Sequence, residues 1–272
     1  MEIQHLKDFE KYLKEKKHEP YPEWWPENET LRMLHANHWN YAKAHHDIVE
    51  FLRVRATMLP IRLEDIHARI IRSGFFTVYG RDIHHRCVTI CKPLNLNRLG
   101  ITDYEAIKTA CLYACFYVMN YMYKDGIIEN NVAIIDLEYA QPWSLPIKAL
   151  KTFNDTMSKQ FRCKMAKIYV VNTNKTFLYA WKAIRIWLDE MIANKVELYH
   201  SNTSDEIKQM IPADQLLEEY GGNAKAPEVY WPPFIPGSPS KPFSSPEPEL
   251  KNIFELQMKG PEESYEPEVI KL

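Results

Sequence analysis

The sequence predicts an α/β fold: a helical lobe, then a mixed, mostly parallel sheet flanked by helices, then an extended proline-rich tail. Three observations carry this expectation. Val132-Ala-Ile-Ile-Asp-Leu137 and Lys167-Ile-Tyr-Val-Val-Asn172 are apolar on both faces and alternate with long helical stretches. That alternation marks parallel strands joined by crossover helices. Before Phe75 the apolar spacing is helical throughout, and residues 223–272 hold ten of the eighteen prolines with no sustained periodicity.

In chain order, Ile3, Leu6, Phe9 and Leu13 fall near helical spacing and predict an amphipathic arm. Pro20-Tyr-Pro-Glu-Trp-Trp-Pro26 ends it, because proline lacks the amide a helix interior needs. Thr30 is the expected N-cap of a second helical region that carries Leu31, Leu34, His38, Tyr41 and Ala42 and runs through Arg53 until Pro60. Phe75–Tyr79 and Cys87–Cys91 read as a hairpin around Gly80-Arg-Asp82. Residues 104–123 form a dense helix whose apolar stretch is too short to cross a bilayer. Helices are expected at 145–160 and 176–192, strands at Lys167–Asn172 and Val196–Tyr199, and a compact closing segment at 207–222. The expected division is an arm at 1–29, a domain at 30–222 (helical lobe 30–74, sheet lobe 75–222) and a tail at 223–272. The tail has no core of its own and should be extended alone in water.

An apolar content of 46% suffices for a sizeable core, and a net charge of −2 argues against nucleic acid as a partner. Five cysteines without framework spacing, and an N-terminus without an apolar leader, predict an intracellular protein, cytoplasmic or mitochondrial and not secreted. No nucleotide loop, nucleophile elbow or Cys-x-x-Cys occurs, and eight glycines leave little for a phosphate cradle. The expectation is a protein that is not an enzyme, with no catalytic residue. His35, His38, His45 and His46 share helical spacings, but no further ligand is fixed, so no metal site is expected. Cys111 and Cys115, and Cys87 and Cys91, read as buried free thiols. Asp136 ends a central strand, a place where α/β enzymes set catalytic carboxylates.

Several ordered blocks carry a resemblance. Leu31-Arg-Met-Leu-His-Ala-Asn-His-Trp-Asn40, Gly80-Arg-Asp-Ile-His-His-Arg-Cys-Val88, Val132–Leu137, Lys167–Asn172 and Ile207–Gly222 follow one another as in the CRAL-TRIO lipid-binding family. The chain resembles that family over roughly residues 30–222. The resemblance implies a closed cavity for a bound phospholipid or other hydrophobic ligand, no other cofactor, and a structural role for Asp136. It implies that Ala133, Ile135, Ile168, Val170, Val196 and Leu198 face the ligand.

Phe177, Trp181, Ile184 and Leu188 recur at i, i+4, i+7 and i+11. Periodicity alone reads them as a stripe packed on the sheet; the resemblance makes their helix the gate of the cavity, with Tyr179 and Trp187 suited to a membrane interface. At the headgroup positions of phosphatidylinositol-transferring members stand Asn37, His38 and Cys163, and only Lys195 matches. At the phosphocholine positions stand Asn131 and Ala133. Two functions follow as expectations. One is an accessory subunit whose arm and residues 223–272 clamp it to protein partners in a larger, membrane-associated, mitochondrial assembly. The other is a free carrier exchanging lipid at a membrane surface.

Overall fold

The computed structural model describes residues 1–58, 61–123, 127–139, 155–188, 190–231 and 233. Helix α1 (Glu2–Glu15) docks through Phe9, which is 1% exposed, into a cluster with Trp25, Met33, Leu34, Ala44, Ile48 and Phe51. Helix α2 (Glu27–Ala36) starts three residues before the expected cap. Pro26 is its N-cap, Glu27 and Glu29 complement the dipole of its first turn, and the Thr30 hydroxyl instead accepts from the Trp25 indole at 2.7 Å. The second helical region is in fact two helices. His38 and Trp39 adopt φ of +50° and +64°, which ends α2, and α3 (Tyr41–Met58) restarts beyond them.

Helix α4 (Asp65–Arg72) is opened by a capping box between Glu64 and His67. Strands β1 (Phe76–Arg81) and β2 (Cys87–Cys91) pair antiparallel. In their connection the Asp82 carboxylate accepts from the amides of His84 and Arg86 and, at 2.6 Å, from the Arg86 guanidinium. Helices α5 (Pro93–Arg98) and α6 (Tyr104–Tyr121) lead to β3 (Asn131–Asp136). Helix α7 (155–160) precedes β4 (Met165–Val171). Then come α8 (Lys175–Trp187), α9 (Glu190–Ala193), β5 (Val196–Leu198) and α10 (Asp205–Met210). Of the helix expected at 145–160, residues 145–154 lie outside the described residues.

The sheet runs β1-β2-β3-β4-β5, parallel from β2 onward. Parallel crossovers are right-handed, and here each advances in the same direction, so all crossover helices must fall on one face. Helices α6 and α8 do so. The other face needs a different cover, which the closing segment supplies: Ile207, Ile211, Leu216, Leu217 and Tyr220 pack on Val88, Ile90, Val132, Ile134, Tyr169 and Val171. The approach is close enough to require glycine. A Cβ on Gly80 would sit 2.0 Å from the Gln215 carbonyl oxygen, and one on Gly222 would sit 1.9 Å from that of Leu216.

Past Gly222, the end expected for the domain, further side chains pack on it. Ala224 is buried in the closing segment's core, and Trp231 is 6% exposed against Tyr117 and Tyr113 of α6, with ring centroids 4.7 and 5.9 Å away. The chain thus stays on the domain nine residues past Gly222, to Trp231. Of the expected tail, residues 232 and 234–272 lie outside the described residues.

Candidate functional site

Strand register decides which residues share the helix-covered face. Ala133 stands opposite Ile168, which stands opposite Val196; Ile135 stands opposite Val170, which stands opposite Leu198. Above these six lies α8, whose first turn is fixed by the Asn174 side chain accepting from the Phe177 amide at 2.8 Å. Phe177, Trp181 and Ile184 descend from it into the same apolar cluster. Nine of the ten residues expected at the ligand face therefore meet. Leu188 does not join them: α8 stops at Trp187, and Leu188 takes an extended backbone with φ −76° and ψ 143°.

Sequence reasoning missed Leu137, Met165 and Ile192, which complete the cluster. Leu137 merely continues the alternation of Ala133 and Ile135. Met165 could not be found that way. A register shift opposite Asn131 and Val132 inserts a bulge at Ala166, which turns Met165 to the face its parity would deny it.

The cluster is not sealed. Ala133, Ile168, Val170 and Phe177 are buried, whereas Ile135, Trp181, Ile184, Val196 and Leu198 all keep accessible surface. Toward α6 the face continues with Cys91, opposite Ile135, and with Cys115. Burial pushes both thiols up to about 12, and Cys111 well above its ordinary value. Cys91 and Cys115 nevertheless retain accessible side-chain surface. Values this high favour the protonated thiols.

Several polar side chains around the strand ends have partners. Lys195, the expected headgroup cation, donates to the Met165 carbonyl at 2.7 Å. Asn37 is buried and ties α2 to α3, donating to the Met33 carbonyl and to Asp47, both at 3.0 Å; Asp47 also meets Arg162 at 2.5 Å. His38 is exposed and Cys163 half-buried. Asn131 accepts from the Tyr123 hydroxyl at 2.7 Å. Asp136 is 4% exposed and accepts from Tyr220, Asn172 and the Glu138 amide, so it clasps the closing segment to the strand ends. Among the described residues no three His, Cys, Asp or Glu side chains converge as a metal site would require.

The outer side of α8 is different in kind. Tyr179 and Ile186 are 74% and 80% exposed, and Lys175, Lys182 and Arg185 stand exposed beside them. No acidic residue occurs within Lys175–Trp187. Among the described residues no helix is long and apolar enough to cross a membrane.

Comparison with known proteins agrees with this architecture. The family model described as the CRAL/TRIO domain matches residues 71–222. The Sec14 cytosolic factor of Schizosaccharomyces pombe is 29% identical over 104 residues, which is 38% of this chain and 36% of that protein. The SEC14 cytosolic factor of Candida glabrata is 21% identical over 164 residues, 58% of this chain and 52% of that protein. This chain therefore spans about a third to a half of the length of these relatives. A crystal structure of Sfh5 superposes with a TM-score of 0.62 at 15% identity, covering 83% of this chain and 88% of that one. This likeness shows a shared fold.

Proposed function

The chain belongs to the CRAL/TRIO family, and from that premise we propose that it is a non-enzymatic carrier holding a hydrophobic ligand between the sheet and α8. One observation carries the reading. Nine apolar residues from β3, β4, β5 and α8 converge on one face, and five of them keep accessible surface. A hydrophobic ligand seated there would cover that remaining apolar surface. Burying an acyl chain or ring system there is worth about 0.8 kcal/mol per methylene, enough to hold a ligand without headgroup contacts.

Helix α8 is the moving part in this reading. It is held at its start by the Asn174 cap and ends in the extended Leu188. Its outer face of Tyr179, Ile186 and three cations suits an anionic bilayer, so the helix can meet a membrane as it lifts from the sheet. The alternative of an accessory subunit clamped into a larger assembly draws on residues 223–272, of which 232 and 234–272 lie outside the described residues. The arm it would also use has its apolar face docked on its own lobe through Phe9.

The test is ligand content after incubation with vesicles. Trp181→Asp and Ile184→Asp each put a carboxylate against the apolar face, and the expected result is loss of uptake with an unchanged circular dichroism spectrum. Uptake equal to that of the unaltered protein would overturn the assignment.

A further inference from the structure

Resting on the carrier reading, we infer that Thr203 is a phosphorylation site for a protein kinase that reads acidic residues C-terminal to its acceptor, and that the phosphate slows ligand release. The loop 199–204 joins β5 to α10 and carries Thr203, half-buried, beside the exposed Ser201. Thr203 is followed by Ser204-Asp205-Glu206, with carboxylates two and three positions on and Asp205 exposed. An acidic pair so placed is complementary to a kinase whose substrate groove is cationic. The Thr203 hydroxyl meets the Ser201 hydroxyl at 3.4 Å, a long contact that costs little to break.

The surroundings give a phosphate there both a receiver and a consequence. A Cβ on Gly221 would lie 3.2 Å from Thr203 Cγ2 and 3.4 Å from Lys208 Nζ, so the threonine and the ammonium flank the same spot. Phosphorylation brings about two negative charges within reach of that ammonium. The loop also holds the start of α8. The Asn172 amide donates to the Ser201 carbonyl at 3.3 Å, and the Thr173 amide and hydroxyl both donate to the Tyr199 carbonyl at 2.9 Å. His200 Nδ1 donates to the Thr173 carbonyl at 2.8 Å, and Asn174, the next residue, caps α8. On its other side the loop is tied to the closing segment, Asn202 Nδ2 donating to the Glu219 carbonyl at 2.6 Å. A phosphate paired with Lys208 adds a second tie on that side and stiffens the footing from which α8 lifts. In the transfer, Thr203 Oγ1 attacks the γ-phosphorus of a nucleoside triphosphate and the bond to the bridging oxygen breaks. The diphosphate leaves, and the hydroxyl proton goes to the kinase's base.

The experiment incubates the full chain with magnesium ATP and casein kinase II, an acid-directed kinase, and maps phosphate by tandem mass spectrometry. The expected result is phosphate on Thr203. Release of bound pyrenedecanoic acid to phosphatidylcholine vesicles is then timed. Phosphorylation should slow it about two- to fivefold, the effect of one exposed ion pair. Thr203→Val and Lys208→Met should each abolish that slowing. An unmodified Thr203, or phosphate on Thr203 with release unchanged, would overturn this inference and leave the carrier reading standing. A chain that takes up no probe in either form would overturn both.

Discussion

At the scale of single residues, the junction between the helical lobe and the sheet lobe rests on buried charge. Lys164, just before β4, reaches Glu29 of α2, which also meets Arg32, and Arg55 lies over the rings of Phe51 and Phe116 at 4.3 and 5.0 Å. Burial alone would raise the Glu29 carboxyl, but Lys164 and Arg32 hold it below its usual range, while burial presses Lys164 down to about 8. Removing one partner of such a pair strands the other in low dielectric. Lys164→Met is therefore expected to destabilise the protein by about 3 kcal/mol, read as a lower urea midpoint. Adding Glu29→Gln to that variant should recover part of the loss, since the stranded charge is then gone. A single variant with unchanged midpoint would show that the pair is solvated.

At the scale of elements, the attachment of α1 is expected to respond to pH. That helix and the chain that follows dock on α2 and α3 partly through imidazoles. His18 stacks on His45 with ring centroids 3.8 Å apart, the Tyr21 hydroxyl meets His45 Nδ1 at 2.7 Å, and His35 meets Glu2 at 2.8 Å. Burial, with His18 and His46 nearby, holds His45 below its ordinary value. A histidine depressed in the folded state binds its proton more readily when the arm is released. Docking is thus complete above about pH 6.5 and weakens as pH falls from there through the folded value. Proteolytic cleavage in α1 should accelerate between about pH 7.5 and pH 5.5, and His45→Gln should flatten that dependence. An unaltered protein cleaved equally across that range would rule the idea out. Helix α8 shows the limit of element prediction: its stripe is plain in the sequence, but the stop at Trp187 removes Leu188 from it.

At the scale of the whole molecule, one-sided crossovers leave a bare sheet face, and the C-terminal segment exists to cover it. The same logic extends past Gly222 to Trp231, which fills a place between α6 and its neighbours. A chain ending at residue 222 loses that tryptophan, and burying an aromatic of this size is worth about 3 kcal/mol or more. Truncation after residue 233 should leave the thermal midpoint unchanged, whereas truncation after residue 222 should lower it by several degrees, about 2–4 °C per kcal/mol for a chain of this size. Equal midpoints for the two truncations would mean that Trp231 only rests on the surface.

The sequence by itself determined the parallel strands, the hairpin and the apolar stripe of α8, because those rest on local periodicity that nearest neighbours enforce. Ala133, Ile135, Ile168 and Val170 were legible as one face for the same reason. What only the tertiary structure decided depends on groups distant in the chain. The bulge at Ala166 that turns Met165 inward answers to the pairing with β3, and Lys164 finds Glu29 across 135 positions. The Pro-rich segment looked free because proline and low periodicity forbid regular structure there. They do not forbid Trp231 from entering a core that other elements have already built.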